Sequence, residues 1–145
     1  MRVENSITIE RPIEEVFDYV SDPENLPEWS SIVLEVHKEG PGQPEEGDRF
    51  TSVAKFLGRR FETPFEVTAR RPPRLHSHKS TGGPMSQEWT RTFEETAGGA
   101  TRLTQVVEGE PGGFFRLAGP LLEGAGSRQF RADLENLKDL LEAQG

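Results

Sequence analysis

The sequence predicts an α+β domain, a mainly antiparallel sheet covered by one large helix. Three observations carry this. Phe130, Leu134, Leu137 and Leu141 recur at i, i+4, i+7 and i+11, one apolar stripe of a helix, with Arg131, Glu135, Lys138 and Glu142 on the other side. Before that stretch, about six strand-like runs follow one another across short connections rich in Gly and Pro, the pattern of a meander. No internal repeat, low-complexity tract or linker interrupts the 145 residues, so 1–145 reads as a single domain.

Arg2 to Glu10 opens the chain as a strand, with Val3, Asn5, Ile7 and Ile9 alternating against Glu4, Ser6, Thr8 and Glu10. Pro12 then suits the start of a helix whose first turn carries Glu14 and Glu15, favourable to the helix dipole. Ile13, Val16, Phe17 and Val20 give it one buried face. A second short helix starts at Asp22-Pro23, cap and first position, and is expected to end near Leu26 because Pro27 disfavours helical backbone in the residue before it. Ile32, Leu34 and Val36 are expected on one side of the next strand. Phe50 to Leu57 and Phe61 to Arg70 follow, turned at Gly58-Arg59. Arg71-Pro72-Pro73 ends that pair, and Arg70, Arg71 and Arg74 are expected at a solvated turn. Leu75 to Ser80, Met85 to Glu94 and Thr101 to Glu108 complete the strands. The tail from about Phe114 to Ala143 is helical, looser in its first half. Gly119, Pro120, Gly124 and Gly126 interrupt Phe114, Phe115, Leu117, Leu121 and Leu122 there, and Pro120 is expected to kink or restart the helix.

A formal net charge of -8 argues against nucleic acid or an anionic membrane as partner. The absence of cysteine excludes disulfides, zinc ribbons and thiol catalysis and fits a reducing compartment. Met1 is followed by a polar, alternating segment, and neither a signal peptide nor a transmembrane run is evident. The expectation is a soluble, cytoplasmic protein without stable membrane insertion.

Several runs resemble a known group. Ile7-Thr8-Ile9-Glu10-Arg11-Pro12-Ile13-Glu14-Glu15-Val16-Phe17-Asp18-Tyr19-Val20 is followed by Asp22-Pro23-Glu24-Asn25-Leu26-Pro27-Glu28-Trp29. Then come Gly47-Asp48-Arg49-Phe50, Pro72-Pro73-Arg74-Leu75, Glu88-Trp89, Gly98-Gly99-Ala100-Thr101-Arg102-Leu103-Thr104 and Leu134-Glu135-Asn136-Leu137-Lys138. In order and spacing these resemble the START-like (SRPBCC) superfamily, in its polyketide cyclase/dehydratase-like branch, over essentially the whole chain. The resemblance implies a helix-grip: a curved sheet of about seven strands wrapped around the C-terminal helix, two short helices after the first strand, and an elongated cavity between sheet and helix.

The residues agree with such a cavity. Phe50, Phe56, Phe61, Phe65, Trp89, Phe93, Phe114 and Phe115 can supply apolar walls, each of them equally explicable as core. Trp29 reads as a structural plug. By alternation Met85, Gln87, Trp89, Arg91 and Phe93 share a face, as do Leu103, Gln105 and Val107. The expected ligand contacts are therefore Phe50, Phe56, Phe65, Gln87, Trp89, Arg91, Leu103, Gln105 and Phe114. An inward Arg91 would suggest an anionic or carbonyl-bearing ligand; the alternative has it reach solvent or pair with Glu62 or Asp18.

His76 and His78 have a spacing that can hold a metal, but Leu75 takes the opposite face, which favours solvent-exposed histidines and no metal site. No cofactor motif and no Ser–His–acid pattern is present. Two functional classes stand: a carrier or sensor of a hydrophobic small molecule (lipid, fatty acid, aromatic or polyketide-like metabolite), and a cyclase/dehydratase-type enzyme acting on such a molecule. The enzyme would use Arg91 as oxyanion stabiliser with Tyr19, His76 or His78 as proton donor. A protein-interaction role is a third. Ligand binding is the preferred reading.

Overall fold

The computed structural model describes residues 1–56, 58–111 and 119–144. Its elements run β1 (Arg2–Ile9), α1 (Ile13–Val20), a 3-10 turn (Pro23–Asn25) leading into α2 (Leu26–Trp29), β2 (Val33–Lys38), β3 (Arg49–Phe56), β4 (Arg59–Arg71), β5 (Leu75–Ser80), β6 (Met85–Glu95), β7 (Thr101–Pro111) and α3 (Gly119–Ala143). The seven strands form one curved antiparallel sheet in the order β1-β7-β6-β5-β4-β3-β2, an α+β helix-grip. From β2 to β7 each strand pairs with its neighbour in sequence, and β1 closes on β7 with Arg2 opposite Glu108 and Ile9 opposite Thr101. A flat sheet of this order would put β1 roughly 29 Å from β2. Curvature shortens that gap, and α1 and α2 carry the chain across it.

Local chemistry accounts for the turns and starts. Gly58 joins β3 to β4 at φ +77°, backbone that residues with a side chain rarely adopt. Gly109 in β7 is needed for a different reason: a Cβ there would lie 2.0 Å from the Ser86 carbonyl oxygen of β6. The Asp22 carboxylate accepts the Glu24 N–H at 3.0 Å and caps the 3-10 turn. The helical segment does not end at Leu26, as expected from Pro27. A new helix starts there, and Pro27 occupies its first turn, where a missing N–H costs nothing. Pro120 likewise stands in the first turn of α3.

The apolar stripe of α3 is buried as its spacing requires, with Phe130, Leu134, Leu137 and Leu141 all in the core. Leu134, Leu137 and Leu141 pack with Ile9, with the buried face of α1, and with Trp29, Phe93 and Leu103. Phe17 and Phe93 meet edge to face, 5.1 Å between ring centroids. Leu34 departs from expectation. The register shift between Val33 and Glu35 turns it outward, where it is 43% exposed while Ile32, Val33 and Val36 stay half-buried. Phe114, Phe115, Leu117 and Gly145 lie outside the described residues. Among the described residues no helix is long and apolar enough to cross a membrane.

Leu137 is fully enclosed, so Leu137→Ala should cost about 2–5 kcal/mol in urea unfolding, as large-to-small core changes do. Leu34→Ala should stay within about 0.5 kcal/mol of the parent. Equal losses at the two positions would contradict the helix phase and the strand register together.

Candidate functional site

Between the sheet and the middle of α3 lies a cavity of about 70 Å³. Its walls are mainly apolar: Phe50, Phe56, Phe61, Phe65, Met85 and Trp89 from the sheet, Leu26 and Trp29 from α2, and Gly126 and Phe130 from α3. Gly126 leaves the room. A Cβ built on it would meet the Phe130 ring at an ordinary 3.5 Å, so the glycine keeps that stretch of wall thinner than any other residue would. Packing across the interior is aromatic: Phe50 stacks on Phe65 at 5.3 Å, and Trp89 meets Phe130 edge-on at 5.1 Å.

One polar row crosses the concave face at the inner end of this cavity. Strand register places Arg70 opposite His76, His76 opposite Arg91, Arg91 opposite Gln105 and Gln105 opposite Asn5, on five adjacent strands. On one side the next row is Val67, His78, Trp89, Val107 and Val3; on the other, Phe93, Leu103 and Ile7 belong to the core. Arg91 is the centre of the row. It is 3% exposed, and its Nε donates to Gln105 Oε1 at 2.7 Å. The guanidinium carbon lies 5.3 Å from the Trp29 ring centroid and 5.4 Å from that of Trp89. Among the described residues no carboxylate lies within ion-pair distance of it, so neither Glu62 nor Asp18 is its partner. Burial lowers its pKa to about 10, and it remains a cation at neutral pH.

The two histidines are not solvent-exposed. His76 and His78 are 2% and 4% exposed, because their partners in register, Arg91 and Trp89, already face inward. Leu75, which suggested the opposite, stands at the start of β5 and is half-buried on the other face. Burial, with Arg91 and then Arg70 adding repulsion, brings His76 down to about 3. Burial, Arg91 and His76 hold His78 well below the ordinary histidine value. Both are therefore neutral at pH 7. Neither ring nitrogen of His76, nor Nδ1 of His78, has a hydrogen-bond partner. Among the described residues no group of three or more His, Cys, Asp and Glu side chains is placed to hold a metal.

Of the residues expected to contact a ligand, Phe50, Phe56, Phe65, Gln87, Trp89, Arg91 and Gln105 line the cavity. Leu103 does not: it lies on the right face of β7 but past the polar row, fully buried among Ile9, Phe93 and Leu134. Phe114 is outside the described residues. Trp29, read as a plug, is both core and cavity wall. Tyr19 lies elsewhere, its hydroxyl donating to Glu28 at 2.6 Å and held protonated by burial and by that carboxylate. Arg70 is not at a solvated turn. It reaches Gln43 at 3.0 Å and Glu45 at 3.3 Å, over the Phe17 ring.

Sequence reasoning missed Asp133. It is 5% exposed, lines the cavity, and accepts the Ser31 N–H at 3.0 Å and the Ser31 hydroxyl at 2.7 Å. Gln129 donates to it at 3.3 Å and also touches the Ser31 hydroxyl. This cluster ties the chain entering β2 to α3. Its one sequence signal is phase, since Asp133 falls three residues after Phe130 on the apolar stripe.

The chain belongs to the family described as polyketide cyclase / dehydrase and lipid transport, which matches residues 1–142. No curated protein matches it. Among solved structures it is similar to a Thermus thermophilus protein, at 19% identity and TM-score 0.84, covering 100% of this chain and 99% of that one. A Mycobacterium smegmatis START superfamily protein aligns at 15% identity and TM-score 0.82, covering 99% of each. A Deinococcus radiodurans protein aligns at 18% identity and TM-score 0.75, covering 100% and 99%. At these identities the likeness establishes the START-like fold. Family and fold together support hydrophobic-ligand binding or a polyketide-cyclase-like role in general terms.

The histidines also make a stability prediction. Their folded pKa values lie below the ordinary 6.5, so below pH 6.5 the unfolded chain binds protons the native state refuses. Stability should therefore fall as pH drops from 7, by about 2 kcal/mol for His76 by pH 5, with His78 adding to the loss in the same direction. In urea titrations, His76→Leu should remove its share of that loss, about 2 kcal/mol by pH 5. An unchanged slope in the variant would place His76 in solvent.

Proposed function

We propose that the protein binds a hydrophobic small molecule (a lipid, fatty acid, or aromatic or polyketide-like metabolite) in the cavity between sheet and α3, as a carrier or sensor. One observation supports this above the rest: a gap is kept open beside Gly126 on a helix whose apolar stripe is otherwise filled by Phe and Leu. An empty gap forfeits dispersion contacts, and an alanine or leucine at 126 would have restored them while also favouring the helix.

Size limits what the resting state admits. An apolar cavity of about 150 Å³ accepts benzene, and this one is about 70 Å³. A longer ligand enters by displacing wall side chains. Trp89, Phe56 and Phe61 are half-buried, less tightly enclosed than Phe50 and Phe65.

A cyclase/dehydratase reading has one favourable observation, that His78 and Arg91 both line the cavity. It is the weaker reading. A general base works best with a pKa near the operating pH, and His78 is held well below it. The cavity's buried carboxylate, Asp133, is already engaged by Ser31 and Gln129.

Titration with neutral alkanols from 1-hexanol to 1-dodecanol should quench tryptophan emission saturably, since Trp29 and Trp89 both face the cavity. Gly126→Leu should abolish that response while leaving the melting temperature equal or higher, because it fills the gap and removes a helical glycine. A response that survives in Gly126→Leu would move binding away from this cavity.

A further inference from the structure

We propose that the ligand of this cavity is an apolar molecule with a carboxylate head, seated against Arg91 with its tail toward Gly126 and Phe130. This rests on the cavity being the binding site and adds which end and which charge it selects.

The argument is one of charge accounting. Arg91 is buried, charged, and bonded to a neutral acceptor, the Gln105 amide oxygen at 2.7 Å. The Trp29 and Trp89 rings stabilise the cation by their π faces but do not neutralise it. A guanidinium offers five N–H donors, and its Nε bond to Gln105 uses one. The groups around it do not supply the missing anion. His76 and His78, on the neighbouring strand, are neutral. Arg70, at the far side of His76, is already paired with Glu45 at 3.3 Å and brings no anion to Arg91. Asp133 is the one buried carboxylate among the described residues; its Oδ1 accepts from Ser31 and Gln129 and its Oδ2 from the Ser30 hydroxyl at 3.5 Å, rather than from Arg91. Glu108, also on the wall, is exposed at its rim. A second donor without a partner points the same way: the buried Trp29 indole N–H, on the ring that packs against the Arg91 guanidinium, bonds to nothing. A net positive, donor-rich end joined to an aromatic chamber matches an anionic head on an apolar tail. A carboxylate engaging the guanidinium makes charge-assisted bonds that an alcohol of the same length does not. An amine would meet the Arg91 cation head-on.

The test compares hexanoate, 1-hexanol and hexylammonium on the wild-type protein, read by tryptophan emission and by calorimetry. None of the three absorbs where tryptophan does. Hexanoate should bind about tenfold or more tightly than 1-hexanol, and hexylammonium more weakly than either. In Arg91→Gln the hexanoate preference should disappear while 1-hexanol binding persists. Equal affinities for hexanoate and 1-hexanol in the wild type, both lost in Gly126→Leu, would overturn the charge selection and leave cavity binding standing. No binding of any of the three would overturn both. The wild-type comparison decides the matter even where Arg91→Gln does not fold.

Discussion

The Arg91 guanidinium lies between the Trp29 and Trp89 rings with Gln105 holding its Nε, and the charge it keeps there constrains the layers on both sides. Taking such a cation out of water costs several kcal/mol before any partner is found. The fold meets that cost with one neutral acceptor and two aromatic faces, and by keeping the adjacent histidines uncharged. Those three conditions need β5, β6 and β7 in one register and α2 pressed onto the same face. Trp29 is the piece that α2 contributes. The polar row thereby divides the interior, with the Phe17, Phe93 and Leu137 core on one side and the cavity on the other.

Sheet curvature and helix composition act together on the cavity side. A meander closed by β1 on β7 wraps its concave face around α3, and side chains of ordinary size on that helix would fill the space. Leucines do so in its second half. In the first half Gly126 does not, and the Phe130 ring meets Trp89 edge-on at the wall. The Asp133 cluster fixes where the chain leaving α2 crosses α3, which holds Ser30 and Trp29 at the wall. The site is thus built by long-range pairing of segments about a hundred residues apart.

That origin explains what is legible in the sequence. Strand alternation is local, so the inward faces of β1, β6 and β7 can be read directly, including Arg91 and Gln105 on the same side as Trp89. The helix stripe is local too. What fails needs information from a neighbour. Leu75 argues for outward histidines, but it sits at the strand end where the alternation has least hold; pairing with Arg91 and Trp89 sets the face of His76 and His78. Alternation points Leu34 inward because the bulge beside it leaves no mark in an alternating pattern. Leu103 shows a third limit. Its face is right, but how far along the strand a cavity extends depends on the helix above, which strand periodicity does not contain. Glu62 and Asp18 are wrong as partners for Arg91, since a pair of aromatic rings is not visible as a partner until two distant tryptophans are brought together.

The indole N–H resonances of Trp29 and Trp89 offer the most direct measurement, because both rings face the cavity and flank the buried Arg91 cation. In a 15N-edited spectrum of the labelled protein, titration with hexanoate should shift both indole signals and the Gly126 amide together, with a common affinity, while the amide of exposed Leu34 stays in place. Shifts confined to the outer face around Leu34, with both indoles unmoved at saturation, would contradict an internal ligand site.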